Sequence, residues 1–331
     1  CMTVTKKQND HMIEQRLVAL TRDLMLIPSI PSRPMDRQRA FDLIKNHLEV
    51  LDHVDVKEYE ENGVPSLVAI PKGVRKPKIL MCGHIDVIEH EDPECYRSHI
   101  ENGRIYGPGA GDMKGSVAII LEVFRHINST MEKPSLAIAI TADEETGGEF
   151  GLGYLVNKVG LTAHKAMIPD GGSLNDVTVE EKGILHLKIR AAGQSAHSAR
   201  PWLGVNPLEE LMHKLSHLKS SFQVMQENHE EEDRWYPTCA VTRIATENKQ
   251  INRIPSEAYA ILDVRFPAPY SIRKIKRHIK ETLGDKMDIE MIISAEPTNL
   301  SPDPEYQRVI EEITGKGAQM VRDDGGSDAR F

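Results

Sequence analysis

Cysteine is scarce. Only Cys1, Cys82, Cys95 and Cys239 occur in 331 residues, with no C-x-x-C pair among them. That scatter excludes a disulfide framework and a zinc finger, and it fits a reducing cytoplasm. No apolar run approaches the roughly 20 residues that cross a bilayer, so no membrane association is expected. Aromatics make up 5% of the chain, no basic stripe is interleaved with them, and the formal charge is −9. Nucleic acid is therefore a poor partner. A G-x-S-x-G elbow is missing, since GQSAH and GGSDA both lack the second glycine, which counts against a serine hydrolase. GPGAGD has Asp112 where G-x-G-x-x-G needs glycine, and Lys114 is not preceded by the glycine of a P-loop, so nucleotide binding fails as well. No charged-then-apolar leader precedes Met2, which reads as the natural start and leaves Cys1 as an added residue; a lipid-modified Cys1 has no other support.

With 40% hydrophobic and 27% charged residues, the chain is long enough for two domains that each bury a core. Apolar positions recur at helical spacing over 12–27, after which Pro28, Pro31 and Pro34 stop the helix. A second helix is read in RQRAFDLIKNHLEVL, then a hairpin with SLVAIP as one strand. KILMCG (78–83) reads as a buried strand, 113–127 as a helix, SLAIAIT as a strand, GLGYLVNKV as a helix and HKAMIPD as a short strand. Alternating strand and helix predict a parallel α/β sheet. Near residue 177 the pattern changes. ILHLKIRA, CAVTRIA, AYAILDVRF and MDIEMIIS read as strands, with helices over 206–222 and 271–283. The expected architecture is α/β: a mostly parallel catalytic sheet flanked by helices (1–176), an inserted α+β domain (177–295), and a return (296–331) through a helix at 304–314 to a Gly-rich terminus.

Ligands in open α/β sheets bind beyond the carboxyl ends of the strands. His84 and Asp86 follow KILMCG; Asp143, Glu144 and Glu145 follow SLAIAIT; Asp170 follows KAMIP; Asp112 stands at the start of the helix at 113. So many carboxylates repel one another unless a divalent cation reverses the local electrostatics. Imidazole mixed with carboxylate suits zinc first, with cobalt or manganese able to substitute. His84, Asp112, Glu145 and Asp170 are many ligands for one open tetrahedral site, and a bridging Asp112 would serve two ions. Asp86, two residues past His84, is placed to orient its ring. Glu144, beside Glu145, is placed to take a proton from the attacking water and deliver it to a leaving amine. Taken singly, H-x-D is more often a loop hydrogen-bonding pair and DEE a solvated turn, so the reading rests on the ordered set. Cys82 reads as core, and Glu89, His90, Glu91 and His99 as exposed loop.

GHIDV, YGPGAGDMKGS, ITADEETGG, IPDGG, GQSAHSARPWLGVNP, NRIPSEAYAILDVRF and GGSDAR together resemble the motifs of the dinuclear zinc aminoacylase and carboxypeptidase family. Succinyl-diaminopimelate desuccinylase, acetylornithine deacetylase and glutamate carboxypeptidase belong to it. The resemblance runs from the first helix to Phe331. It implies His84, Asp112, Glu145 and Asp170 as ligands of two metal ions, with Asp112 bridging, Glu144 as general base and Asp86 as orienting carboxylate. It also implies that the insert is a lid and homodimerisation domain, with His197 of SAHS stabilising the oxyanion in the partner's site. Asn252, Arg265, Ser327 and Arg330 match positions that bind the substrate's carboxylate or backbone; Arg265 alone would more often be a structural ion pair. The function implied is hydrolysis of the amide bond of an N-acyl amino acid or small peptide with a free carboxylate.

The sequence departs from that pattern in three places. Family members continue past GGSDAR to a further His that completes the second metal site, whereas this sequence ends at Phe331. A truncated enzyme is the expectation; the rival is a non-catalytic metal-binding or dimeric scaffold. ATENKQINRIP lacks the glycine pair often found before the Asn, and GPG stands where many deacylases have GRG.

Overall fold

The structure is a computed structural model that describes residues 2–226 and 234–331, with side chains from residue 11 onward. Cys1 lies outside the described residues. The chain folds into two compact units, one running to Ser173 and including Phe331, the other spanning Leu174–Arg330.

In the first unit, helices α1 (Met2–Met25) and α2 (Pro34–Leu48) precede strands β1 (Val54–Glu61), β2 (Val64–Pro71) and β3 (Ile79–His84). A small hairpin, β4 (His99–Glu101) and β5 (Arg104–Tyr106), then leads to α3 (Lys114–Thr130), β6 (Leu136–Thr141), a short α4 (Leu152–Tyr154) and β7 (Lys165–Met167). The five-stranded sheet has the order β1-β2-β6-β3-β7. β3 runs parallel to β6 and β7, while β1 and β2 join antiparallel. The β1–β2 hairpin closes on Asn62 (φ 51°) and Gly63 (φ 74°), the left-handed pair whose twist matches that of the strands.

Alternation along β6 explains why the sheet lies between two layers. Leu136, Ile138 and Ile140 face a core with Leu24, Phe41, Ile44, Leu121 and Phe124, while Ala137 and Ala139 face Val68, Leu80, Cys82, Leu152 and Leu155. Opposite faces at successive residues are the strand period of two. Removing a side chain such as Phe124, 0% exposed, from water contributes about 1.5–3 kcal/mol. Gly83 has a specific reason: a Cβ there would stand 3.1 Å from the side-chain tips of Met113, Val117 and Ile120, so its absence lets α3 pack closely on β3.

The second unit holds β8 (Asp176–Glu181), β9 (Gly183–Ala192), β10 (Ala196–His197), α5 (Pro207–Gln226), β11 (Thr238–Ala245), β12 (Arg253–Ile254) and β13 (Glu257–Phe266). It continues with α6 (Ile272–Leu283), β14 (Met287–Ala295), β15 (Thr298–Asn299), α7 (Pro304–Thr314) and β16 (Gln319–Asp323). An antiparallel sheet of order β11-β13-β9-β14 buries Leu187, Ile189, Leu262 and Val264 with Leu211, Phe222, Ile275 and Ile279 of α5 and α6. Ser271 caps α6, its hydroxyl accepting the Lys274 N–H at 3.3 Å. A three-stranded sheet of order β15-β8-β16 completes the unit.

The structure corrects several local readings. α1 begins at Met2 rather than residue 12, and Pro34, read as part of a helix stop, opens α2, where proline's missing N–H costs nothing. GLGYLVNKV is one α turn followed by a π-helical turn at Leu155–Val159. His99 is exposed, as expected, yet starts β4 and stacks on Tyr106 at 5.1 Å between ring centroids. β8 and β16 were not anticipated. β16 lies in the segment read only as a Gly-rich terminus, and it pairs parallel to β8.

Candidate metal centre

The parallel half of the first sheet delivers the site. β3 ends on His84, directly paired with Thr141 at the end of β6, so the residues just beyond both strands meet at one rim. His84 is 1% exposed and Asp86 0%. His84 Nδ1 lies 3.1 Å from the Asp86 carbonyl and 3.3 Å from Asp86 Oδ1. Two oxygens there keep a proton on Nδ1, so Nε2 is the ring atom that a cation would take in place of a proton. Nε2 is buried and makes no aligned hydrogen bond, yet it stands 3.1 Å from Asp112 Oδ1 and 3.7 Å from Asp170 Oδ2.

Asp86 also ties the neighbouring strand end. Its Oδ1 accepts the Glu144 N–H at 3.3 Å and its Oδ2 the Glu145 N–H at 3.0 Å. His84, Glu144 and Asp170 each offer a ligand atom within 4.8 Å of the others. Glu144, expected as the base, is thus as near to His84 and Asp170 as a ligand would be. Glu145 faces the same group of charges. Its carboxyl is pushed up to about 7, first by burial and then by the negative charge of Asp112, with Asp86 and Asp170 adding to it.

The electrostatics are those of a crowded anionic rim. Burial opposes charge on His84 most strongly, but the close carboxylates of Asp112, Asp170 and Asp86 outweigh it and raise the imidazole well above its ordinary value. Asp112 is lowered, chiefly by the His84 contact. A buried imidazole nitrogen without an aligned partner, aimed between carboxylates, fits a divalent cation of the zinc type. Of the four expected ligands, the group within 4.8 Å contains His84 and Asp170, with Glu144 as its third member.

Two residues to which the sequence assigns no role of their own support the rim. Lys114, fully buried, donates to the carbonyls of Leu24 at 3.1 Å and Ile27 at 2.7 Å, fastening the end of α1 beneath the loop that carries Asp112. Burial lowers its ammonium to about 7. Gly109 would set a Cβ 2.9 Å from the Lys114 Cδ, so the glycine of GPG makes room for the lysine stem. The Asp112–Met113 peptide is cis. Asp143, 2% exposed, accepts the N–H groups of Phe150 and Gly151 at 2.9 Å each through Oδ2. The first carboxylate of DEE thus holds a loop. A Cβ at Gly151 would run into Asp143 Oδ1, so the loop closes on that carboxylate only with glycine there.

The other expected residues lie in the second unit. His197 of β10 pairs with Arg253 of β12, and the Asn252 carbonyl accepts the Ser198 N–H at 2.9 Å, so His197 and Asn252 are neighbours. The His197 Nδ1 accepts the Ala199 N–H at 3.1 Å, which leaves Nε2–H as the outward donor. Arg265 donates Nε and Nη2 to Asp263 Oδ1 and Oδ2 at 2.8 and 3.2 Å. Ser327 donates to Glu181 Oε1 at 2.6 Å, and Thr298 donates to Oε2 at 2.9 Å. Arg330 ends the short turn Asp328–Arg330. No helix among the described residues is long and apolar enough to cross a membrane.

The family model described as Peptidase family M20/M25/M40 matches residues 80–331. Succinyl-diaminopimelate desuccinylase of Rhodospirillum centenum is 28% identical over 342 residues, covering 95% of this chain and 86% of its own. Acetylornithine deacetylase of Proteus mirabilis is 26% identical over 323 residues, covering 92% and 83%. Among solved structures, human carnosine dipeptidase 1 superposes with a TM-score of 0.74 at 16% identity, covering 97% of this chain and 87% of that one. The M20 family metallo-carboxypeptidase Sso-CP2 of Sulfolobus solfataricus does so with a TM-score of 0.74 at 18% identity, covering 95% and 87%. These structural likenesses concern the fold.

Proposed function

The chain belongs to peptidase family M20/M25/M40, and from that premise we propose that it hydrolyses the amide bond of an N-acyl amino acid or small peptide with a free carboxylate. The observation that carries this reading is the His84 ring, fixed at Nδ1 by Asp86 and presenting a buried, unaligned Nε2 between Asp112 and Asp170. His84, Asp112, Glu145 and Asp170 would hold two divalent ions, zinc by preference, with Asp112 between them. When bound, the ions supply the positive charge that polarises the scissile carbonyl and acidifies the attacking water.

Glu144 takes the proton from that water at a carboxylate oxygen and passes it to the nitrogen of the departing amine as the C–N bond breaks. Asp86 keeps His84 in one tautomer and holds the Glu144–Glu145 turn through its N–H groups. His197 donates from Nε2 to the oxyanion of the tetrahedral intermediate in the site of the partner subunit. Asn252, Arg265, Ser327 and Arg330 bind the substrate's carboxylate and backbone, Arg265 through its fork.

The names of the two curated relatives, a desuccinylase and a deacetylase, support an acyl amino acid over a long peptide. We assign the four-stranded sheet with α5 and α6, within 177–295, to a lid through which two copies associate, and 1–176 and 296–331 to catalysis. Exposed Val241 and Ile244 on the edge strand β11 suit such a contact. A cytoplasmic location fits the free thiols of Cys82, Cys95 and Cys239.

The test is turnover of a panel of N-acetyl and N-succinyl amino acids and dipeptides, with metal analysis, before and after chelation. Cleavage that is lost on chelation and restored by zinc, cobalt or manganese supports the reading. Chelator-insensitive cleavage, or no turnover of any member, overturns it.

A further inference from the structure

Arg265 is not a free cation on the face of its sheet. It sits in a three-residue array with Asp263, two positions earlier on β13, and His186, directly opposite Asp263 on β9. Asp263 receives the side-on edge of the guanidinium, Nε at 2.8 Å and Nη2 at 3.2 Å. His186 Nε2 lies 3.3 Å from Asp263 Oδ2. Among the described residues Nη1 has no acceptor, and the Arg265 side chain is 27% exposed. One edge of the planar fork is therefore fixed and the other is open.

The chemistry of a guanidinium makes that arrangement specific. Arginine can meet a carboxylate through the Nε/Nη edge or through the Nη1/Nη2 edge, and both can be engaged at once because they point in different directions. A long side chain that must be ordered by its ligand loses rotamer freedom on binding, whereas one already held does not. Asp263 stays ionised: burial acts against its charge, but the close His186 ring and the hydrogen bonds and charge of Arg265 hold it well below the usual carboxylate range. The Cys239 thiol nearby is pushed up to about 12 by burial and by the Asp263 charge, so it remains neutral beside the pair.

We propose that Asp263 and His186 are positioning residues that lock Arg265 by its Nε/Nη2 edge, so that its open Nη1 edge receives the free carboxylate of the substrate. This deepens the proposed function and rests on its assignment of Arg265 to the substrate carboxylate. The array then sets selectivity: a substrate ending in a carboxylate is favoured over the same molecule ending in a carboxamide, and the preference depends on residues that touch no substrate atom.

The experiment compares the best-turned-over N-acyl amino acid of the panel with its α-carboxamide, in wild type and in Asp263→Asn, His186→Gln and Arg265→Ala. Asp263→Asn keeps the shape of the side chain and removes the charge that holds the fork. The expected result is a KM for the acid raised about tenfold in Asp263→Asn and about threefold in His186→Gln, with kcat falling less than KM rises and the carboxamide little affected. Tenfold corresponds to about 1.4 kcal/mol, the scale of one charge-assisted hydrogen bond. A loss of kcat shared equally by acid and carboxamide would show a merely structural pair and overturn the inference. So would Asp263→Asn kinetics equal to wild type while Arg265→Ala erases the preference for the acid. If Arg265→Ala itself leaves that preference intact, the assignment of Arg265 has failed, and the inference with it.

Discussion

Asp86 Oδ2 accepts the backbone N–H of Glu145 at 3.0 Å while the carbonyl and other carboxylate oxygen of Asp86 face His84 Nδ1. One fully buried carboxylate thus sets the ring at the end of β3 and the turn at the end of β6. Outer partners of this kind commonly carry 10–100-fold in metal affinity. Asp86→Ala is therefore expected to weaken zinc binding by about that factor, measured by competition with a chromophoric chelator. Unchanged affinity would separate Asp86 from the metal.

Metal and stability should be linked through His84. A cation that binds only the folded chain stabilises it, by about 2.7 kcal/mol at a hundredfold excess over Kd. Zinc added to chelator-treated protein should raise the thermal midpoint, and His84→Ala should abolish the rise. A rise that survives in His84→Ala would locate the stabilising ion elsewhere.

Gly115 opens α3 just after the Asp112 loop, and a Cβ there would run into the carbonyl of Ala110. Backbone does not yield as a flexible side chain does, so Gly115→Ala should cost about 1–3 kcal/mol. Differential scanning calorimetry should show a lower midpoint, together with weaker metal binding because the same loop carries Asp112. A midpoint equal to wild type would contradict the packing described.

Asp263 gives a pH dependence with a definite sign. Its folded pKa is depressed, so the stability it contributes is complete above the ordinary carboxylate value of about 3.9 and is lost as pH falls through the folded value. Wild type should lose part of its urea resistance between about pH 5 and the strongly acid range. Asp263→Asn should lose less over the same interval, while being less stable at pH 7. Parallel pH curves for the two proteins would refute the linkage.

Much of the fold could be read from the sequence because its long elements carry strong periods. α6 was legible from Ile275, Ile279 and Leu283 with Ser271 at its start, and β6 from an unbroken apolar run. What escaped was short or charged. β4 has only three residues, His99 and Glu101 among them, and β16 carries Gln319, Arg322 and Asp323; neither offers enough apolar positions to show a period. The first turns of α1, MTVTKKQNDH, are mostly polar and carry no apolar stripe. At the site, the residues beyond each strand end were legible because parallel strands place their carboxyl ends together. The supporting roles of Asp143, Lys114 and Asp263 were not, since their partners are backbone groups or residues distant in sequence, which one sequence does not reveal.

In the proposed mechanism the rim formed by His84, Asp112, Glu145 and Asp170 holds metal while Glu144 moves the proton. Metal content per chain and turnover, measured together in Glu144→Gln, test it most directly. The expected outcome is metal content close to wild type with turnover reduced about a hundredfold or more, on the order of what general-base catalysis contributes; metal lost along with turnover would make Glu144 a ligand and overturn the assignment.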